Sequence, residues 1–246
     1  MSRTVRVALL ATVAWLVVFL VVPLAGMIIG KVRGDDFSRV LSNPATWRVV
    51  WFSTWQSVLS VAATFAVAAP VTWLIGRHQF AGRRALRAVT TVGFLLPSVV
   101  VAAGFLAVLP RSLHYSVFAI VIAHAYFNLA VVVRVVGARL ETLDRRLDEA
   151  ARSLGASRRR RFVTLELPLM RRGLAAGLGL VLLSILKELP ATLLLRPAGV
   201  DTLATRIFEA TESGFFAQAG LYSLALLALS SILTYALTIR PILRRA

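Results

Sequence analysis

Six long apolar runs divide the sequence, at residues 7–29, 49–75, 88–110, 115–136, 173–195 and 213–239, with short polar stretches between them. A helix rises about 1.5 Å per residue, so about 20 residues cross a hydrocarbon core of about 30 Å. Each run is long enough to do so. The pattern predicts an all-α polytopic membrane protein with six transmembrane helices in one domain spanning 1–246, with residues 137–172 as its longest connection.

One run breaks its own pattern. After 14 uncharged residues, 173–186, it places Lys187, Glu188 and Pro190 before its end at Leu195. Those 14 residues reach roughly 21 Å as a helix, so the two charges are expected in the outer third of the membrane. Charged groups there cost about 2–3 kcal/mol each and usually face a bundle interior or a water-filled path. The Lys187 stem can extend to the headgroups, whereas Glu188 has a shorter reach. Neighbours in sequence project about 100° apart on a helix, so the two are not expected to pair. Pro190 weakens the helix at the same level and predicts a re-entrant segment through Leu195, covered by protein or lining a cavity. The alternative is a span that ends at Glu188, followed by an outside loop.

Composition supports a lipid environment. The chain is 58% hydrophobic, with a mean hydropathy of +0.79, too apolar for a soluble domain of this size. Arg3 and Arg6 precede the first run as in a secretory signal, but signal cores run about 7–15 residues and no small-x-small cleavage site follows. A retained helix is therefore expected. The formal net charge of +17 would suggest nucleic acid in a soluble protein. Here, with six spans and an inside N-terminus, the inside segments hold 20 of the 28 Lys and Arg, and the outside segments only 7. That asymmetry predicts a multi-pass protein of the cell membrane with both termini cytoplasmic, facing membrane lipids and not nucleic acid. The run Arg158–Arg161 is explained by topology and anionic lipid headgroups. No Gly-x-x-x-x-Gly-Lys-[Ser/Thr] loop is present, so nucleotide hydrolysis is not expected on this chain. With no cysteine, disulfides and thiolate metal sites are excluded.

The connections add detail. Residues 31–48, beginning at Lys31, form an outside loop with turn signals at Gly34-Asp35-Asp36 and Asn43-Pro44. Residues 111–114 make a turn so tight that the flanking helices must be antiparallel. Pro23, Pro70 and Pro97 fall within apolar runs, where a kink is the simplest expectation. Gly173 and Gly177 permit close helix packing.

The inside connection contains DEAARSLGASRRRRFVTLELP, residues 148–168. Ala150 and Ala151 leave one face of a short helix low enough for another protein to approach. Gly155 can turn the backbone at positive φ. Pro168 is placed near the start of the next membrane helix, where a missing N–H does no harm. The skeleton Glu149-Ala150-Ala151, Gly155, Leu165-x-Leu167-Pro168 resembles the EAA loop of binding-protein-dependent ABC importer permeases.

This resemblance implies the type I ABC importer (MetI-like) permease fold. It also implies an ATPase-coupling role for Glu149, Ala150, Ala151, Gly155, Leu167 and Pro168. The implied partners are two ABC ATPase subunits, a second permease half (an identical chain or a paralogue) and an extracytoplasmic solute-binding protein. No cofactor or metal is expected on this chain, because ATP and Mg would be held by the ATPase, and the chain itself is not expected to be an enzyme. Lys187, Glu188 and Pro190 then become candidates for a translocation path or gate. The run KELPATLLLRPAGVDTLATRIFE resembles ferric-iron permeases, and an acidic Glu188 would suit a cationic solute. Thr54-x-Gln56 and the segment His124-Ala-Tyr-Phe-Asn128-Leu resemble thiamine permeases. His124 and Asn128 share a helix face and are read as interhelical hydrogen-bonding groups, with substrate contact as the alternative. Ferric iron is the expected solute and thiamine the alternative. An ion-coupled secondary transporter and a structural membrane anchor are the competing classes. Iron and thiamine permeases of this type commonly fuse two six-helix halves, whereas this chain supplies one.

Overall fold

The computed structural model describes residues 3–22, 25–26 and 34–240. Pro23, Lys31 and the last part of the first apolar run lie outside the described residues. Every regular element among the described residues is helical. The chain divides into two compact units, Met1–Trp51 with Thr202–Leu227, and Phe52–Asp201 with Ala228–Ala246.

In the first unit, α1 (Arg3–Leu16) runs on through a wider turn at Val17–Val21 and buries none of its residues. In α2 (Gly34–Ser42), Asp35 and Asp36 lie in the first turn and Arg39 in the last, each matching the nearby end of the helix dipole. Asn43 then starts α3 (Pro44–Arg77): its side chain accepts from the Ala45 N–H at 2.9 Å, and Pro44 occupies the first position, where its missing N–H is harmless. Further along the chain, Thr202 and Thr205 form a reciprocal capping box for Leu203–Glu212.

The second unit is built around α6 (Val117–Glu141), with 13 buried residues. Ser116 caps it, its hydroxyl accepting from the Ala119 N–H. On one side α6 meets the helix Arg158–Leu186, in which a turn α8 (Arg158–Arg161) passes through a wide turn at Phe162–Glu166 into α9 (Leu167–Leu186). The approach is close. A Cβ at Gly173 would lie 2.8 Å from Arg139 Cβ, and one at Gly177 would lie 2.9 Å from Val136 Cγ2.

Among the described residues, two of the apolar runs are not single straight helices. Residues 88–110, read as one span, are α4 (Arg83–Leu95) and α5 (Ser98–Val108), bent by 103°. Pro97 adopts the extended ψ of 135° that ends a helix. Residues 173–195 are likewise interrupted: the helix stops at Leu186 and a short α10 (Pro190–Leu195) begins after a gap of three residues. The two short pieces find each other. Val101 and Ala102 of α5, Ala119, Ile120, Ala123 and Phe127 of α6, and Ala191 and Leu195 of α10 form one buried apolar cluster. By length and composition, four helices among the described residues can cross a membrane: Pro44–Arg77, Val117–Glu141, Arg158–Leu186 and Phe216–Thr238. The bent pair makes a fifth if counted as one.

The expected connection 137–172 is largely helical. Pro168 lies, as expected, at the first positions of the stretch Leu167–Leu186, which continues from Arg158 without a break. Its ring crowds the carbonyl four residues back, and the chain accommodates it with the wide turn just before it, where the Leu167 N–H reaches back five residues to the Phe162 carbonyl.

Candidate coupling segment and buried polar network

The motif residues 149–155 occupy a short helix and its end. α7 (Arg145–Ser153) starts with Asp144 accepting from the Arg146 N–H at 2.9 Å. It stops in a left-handed turn: Gly155 has φ +77°, its N–H donates to Arg152 O at 2.8 Å, and the Ala156 N–H donates to Ala151 O at 3.0 Å. These two bonds form a Schellman termination. The spacing from Ala151 to Gly155 is the distance this turn requires, and Ala156 returns over Ala151. Glu149, Ala150 and Gly155 are exposed and Ala151 half-buried. Leu154, at the tip, is 87% exposed. A short helix therefore projects a low, alanine-bearing surface with one apolar point.

The projection is tied to the ends of two spans. Arg161 donates to Asp148 Oδ1 at 2.6 Å and to the Ala156 carbonyl at 3.0 Å, fixing α7 to the start of the long helix. Arg77, the last residue of α3, reaches Glu166 Oε1 at 3.3 Å and lies over the Trp73 ring, which meets Phe162 edge-on. Both members of the Arg77–Glu166 pair are about nine-tenths buried, and the pair joins the end of α3 to the long helix. Leu167 and Pro168 are exposed and lie on the long helix, beyond the projecting turn.

At the other break, Glu188 is buried and Lys187 and Pro190 are exposed. Glu188 Oε1 accepts from the Ala191 N–H at 3.0 Å, while Oε2 accepts from the Thr192 N–H at 2.9 Å and the Thr192 hydroxyl at 2.8 Å. The carboxylate thus satisfies first-turn donors of α10 that have no helical partner, and Pro190 takes a position that needs no donor. Both oxygens accept hydrogen bonds from within the protein. Among the described residues no group of three or more His, Asp and Glu is placed to hold a metal ion.

His124 joins this cap to the neighbouring helices. Its Nε2 lies 3.3 Å from Thr192 Oγ1 and 3.6 Å from Glu188 Oε2. Its Nδ1 lies 3.1 Å from Gln56 Nε2, which also donates to Ser60 Oγ at 2.8 Å. An amide nitrogen only donates, so Nδ1 accepts and the ring proton on Nε2 points at Thr192 and Glu188. Gln56, Ser60, His124 and Thr192 are each at most 1% exposed. The chain of contacts links α3, α6 and α10 through a buried polar core, where a satisfied network is rigid and an incomplete one costly. Asn128, also buried, donates to the His124 carbonyl one turn back on the same helix. Sequence reasoning singled out His124 and Asn128 but not Ser60 or Thr192. Pro190 at the first helical position is the helix-start signal here, and Glu188, two places before it, reaches the first-turn donors.

A family model described as "Binding-protein-dependent transport system inner membrane component" matches residues 68–243. The chain is 30% identical over 203 residues to the Fe(3+)-transport system permease protein FbpB 2 of Haemophilus influenzae, covering 80% of this chain and 38% of that protein. It is 31% identical over 168 residues to the Molybdenum transport system permease protein ModB of Escherichia coli K12, covering 63% of this chain and 73% of that protein. Its fold matches a chain in the crystal structure of a bacterial alginate ABC transporter in complex with an alginate pentasaccharide-bound periplasmic protein, with TM-score 0.77 and 18% identity over 94% of this chain and 91% of that one. The chain thus spans little more than a third of the iron-transport relative and most of the molybdenum-transport one. With a family match over more than two thirds of its length and a helical fold to go with it, the chain belongs to the binding-protein-dependent transport system inner membrane components.

Proposed function

We propose that this chain is a permease subunit of an ATP-driven ABC importer, working by alternating access in the cell membrane with both termini cytoplasmic. The observation that carries this is the projecting α7. Its exposed Glu149 and Ala150, ended by the Gly155 turn, form a docking element; the Arg161–Asp148 pair ties it to the helix Arg158–Leu186, which the buried Arg77–Glu166 pair joins to the end of α3. Two ATPase subunits holding ATP and Mg supply the work, two permease halves enclose the path, and an extracytoplasmic binding protein delivers the solute. Leu167 and Pro168 transmit the motion into the membrane helix. Lys187, Glu188 and Pro190 mark the gate, in which Glu188 holds the re-entrant turn in place and does not touch the solute.

For the solute, ferric iron is the first assignment, supported by the likeness to a Fe(3+)-transport permease. Molybdenum transport by another relative and the thiamine-type residues Gln56 and His124 name the alternatives. The test is reconstitution with a partner ATPase and a solute-binding protein. Uptake of ferric ion into proteoliposomes that requires internal ATP, and is lost with Glu149→Arg, supports the proposal. Uptake driven by an ion gradient without any ATPase points to secondary transport. Uptake of thiamine or molybdate in place of iron overturns the solute assignment alone.

A further inference from the structure

A cleft of about 1020 Å³ lies between the end of α3 and the α7–α8 segment, at the upper end of the roughly 300–1000 Å³ typical of small-ligand sites. Its charges divide into a paired and an unpaired set. Arg77 is matched by Glu166, and Arg161 and Arg152 share Asp148. Glu149, Arg158 and Arg159 line the same cleft, are exposed and have no ion-pair partner among the described residues. The fold thus splits the arginine run: Arg161 anchors α7, Arg158 and Arg159 line the cleft, and Arg160 does not. A free anion drawn to the two arginines meets Glu149 along the same cleft. A protein segment escapes that conflict, because it can set a cation at Glu149 and carboxylates at Arg158 and Arg159. The cleft is also continuous with the projecting face of α7, since Glu149 belongs to both.

We propose that Arg158 and Arg159 are the residues by which this permease recognises its own ATPase, receiving two carboxylates of an acidic segment on that subunit. The assignment rests on the ATPase-docking role proposed for α7 and adds the source of its selectivity. Glu149, Ala150, Ala151 and Gly155 are the positions that resemble other EAA loops, so they cannot by themselves separate one ATPase from another. Arg158 and Arg159 stand outside that skeleton, on the short α8 that Arg161 and Asp148 join to α7. Pairs of guanidinium with carboxylate fix register, and they penalise a partner with the wrong charges more than they add affinity.

The test measures association of the full chain, purified in detergent, with its partner ATPase and with the ATPase of an unrelated importer. R158A/R159A should weaken binding of the partner about tenfold, the expectation for two exposed ion pairs, flatten its salt dependence and shrink by the same factor the preference over the unrelated ATPase. R84A/R160A, which removes equal charge outside the cleft, should stay within about twofold. With R159C as the sole cysteine, a photoreactive maleimide should crosslink the partner at a peptide carrying acidic residues. Neutralising those carboxylates should reduce the effect of R158A/R159A to within about twofold. Equal loss in both double variants, equal weakening of both ATPases, or crosslinks that go only to lipid or to a second copy of this chain overturn the proposal. If the wild type binds the partner and Glu149→Arg abolishes that binding, while R158A/R159A stays within about twofold, this inference alone fails. If the wild type binds no ATPase, the function proposed above fails with it.

Discussion

Replacing Glu188 by glutamine tests whether the carboxylate holds the re-entrant helix in place. The carboxylate accepts three hydrogen bonds, from the Ala191 and Thr192 N–H groups and the Thr192 hydroxyl, and faces the His124 Nε2 proton. A glutamine of the same shape keeps one acceptor. Its NH2 then confronts donors that are buried and have no other partner. Each unmatched buried donor costs about 1–3 kcal/mol. The hydroxyl of Thr192 can rotate away but the backbone N–H and the imidazole cannot, so the loss is about 2–4 kcal/mol, or roughly 30- to 700-fold in the undocked fraction of α10. The chain contains no cysteine, so a single Ala191→Cys provides a clean reporter. Ala191 is completely buried in the α5–α6–α10 cluster. Its maleimide labelling rate in detergent should rise by that factor when E188Q is added to A191C, whereas Glu188→Asp should give a smaller rise. Labelling of A191C/E188Q within about threefold of A191C alone would falsify the capping role.

Three further outcomes follow from other contacts. At Gly155 there is open space around a Cβ but φ is +77°; Gly155→Ala should therefore cost about 1–2 kcal/mol through backbone conformation alone, seen as roughly 5- to 30-fold faster hydrogen exchange at Ala156. Gly155→Asn, which tolerates that conformation, should stay within a few-fold. Arg77→Ala strands Glu166, whose Oε2 already lacks a partner, and should lower stability in detergent denaturation by about 3–5 kcal/mol, with R77A/E166A losing less than R77A alone. Gly177→Val drives side-chain atoms into Val136 at a cost of about 1–3 kcal/mol, whereas Gly104→Ala, with nothing within 4 Å of its Cβ, should hold or raise the denaturation midpoint.

Legibility in the sequence followed the range of the interactions. The turn at Gly155 was readable because a Schellman termination is local: its spacing, its glycine and its alanines lie within six residues. The break at Lys187–Leu189 was readable because charge and proline marked it together. The bend at Pro97 was not. Pro70 and Pro97 both sit in uninterrupted apolar sequence, yet Pro70 stays inside a 34-residue helix and Pro97 separates two helices at 103°. Hydrophobicity records only that a segment avoids water. What distinguishes the two is the apolar bed that α6 and α10 offer to residues 98–108, a partnership distant in sequence. The capping contacts of Glu188 were not readable for a related reason: the hydroxyl and imidazole that surround it come from other positions and another helix.

The α5–α10 partnership also constrains the order in which the chain can be completed. About eighty residues separate the end of α5 from the start of α10. At a synthesis rate of about 5–20 residues per second, α5 waits roughly 4–16 s for the surface that covers it. Until then an eleven-residue helix, too short to cross a bilayer, must be sheltered by α6 alone or by the insertion machinery. Slowing translation between residues 109 and 189 would lengthen that vulnerable interval, and a membrane protease would find its best opportunity there.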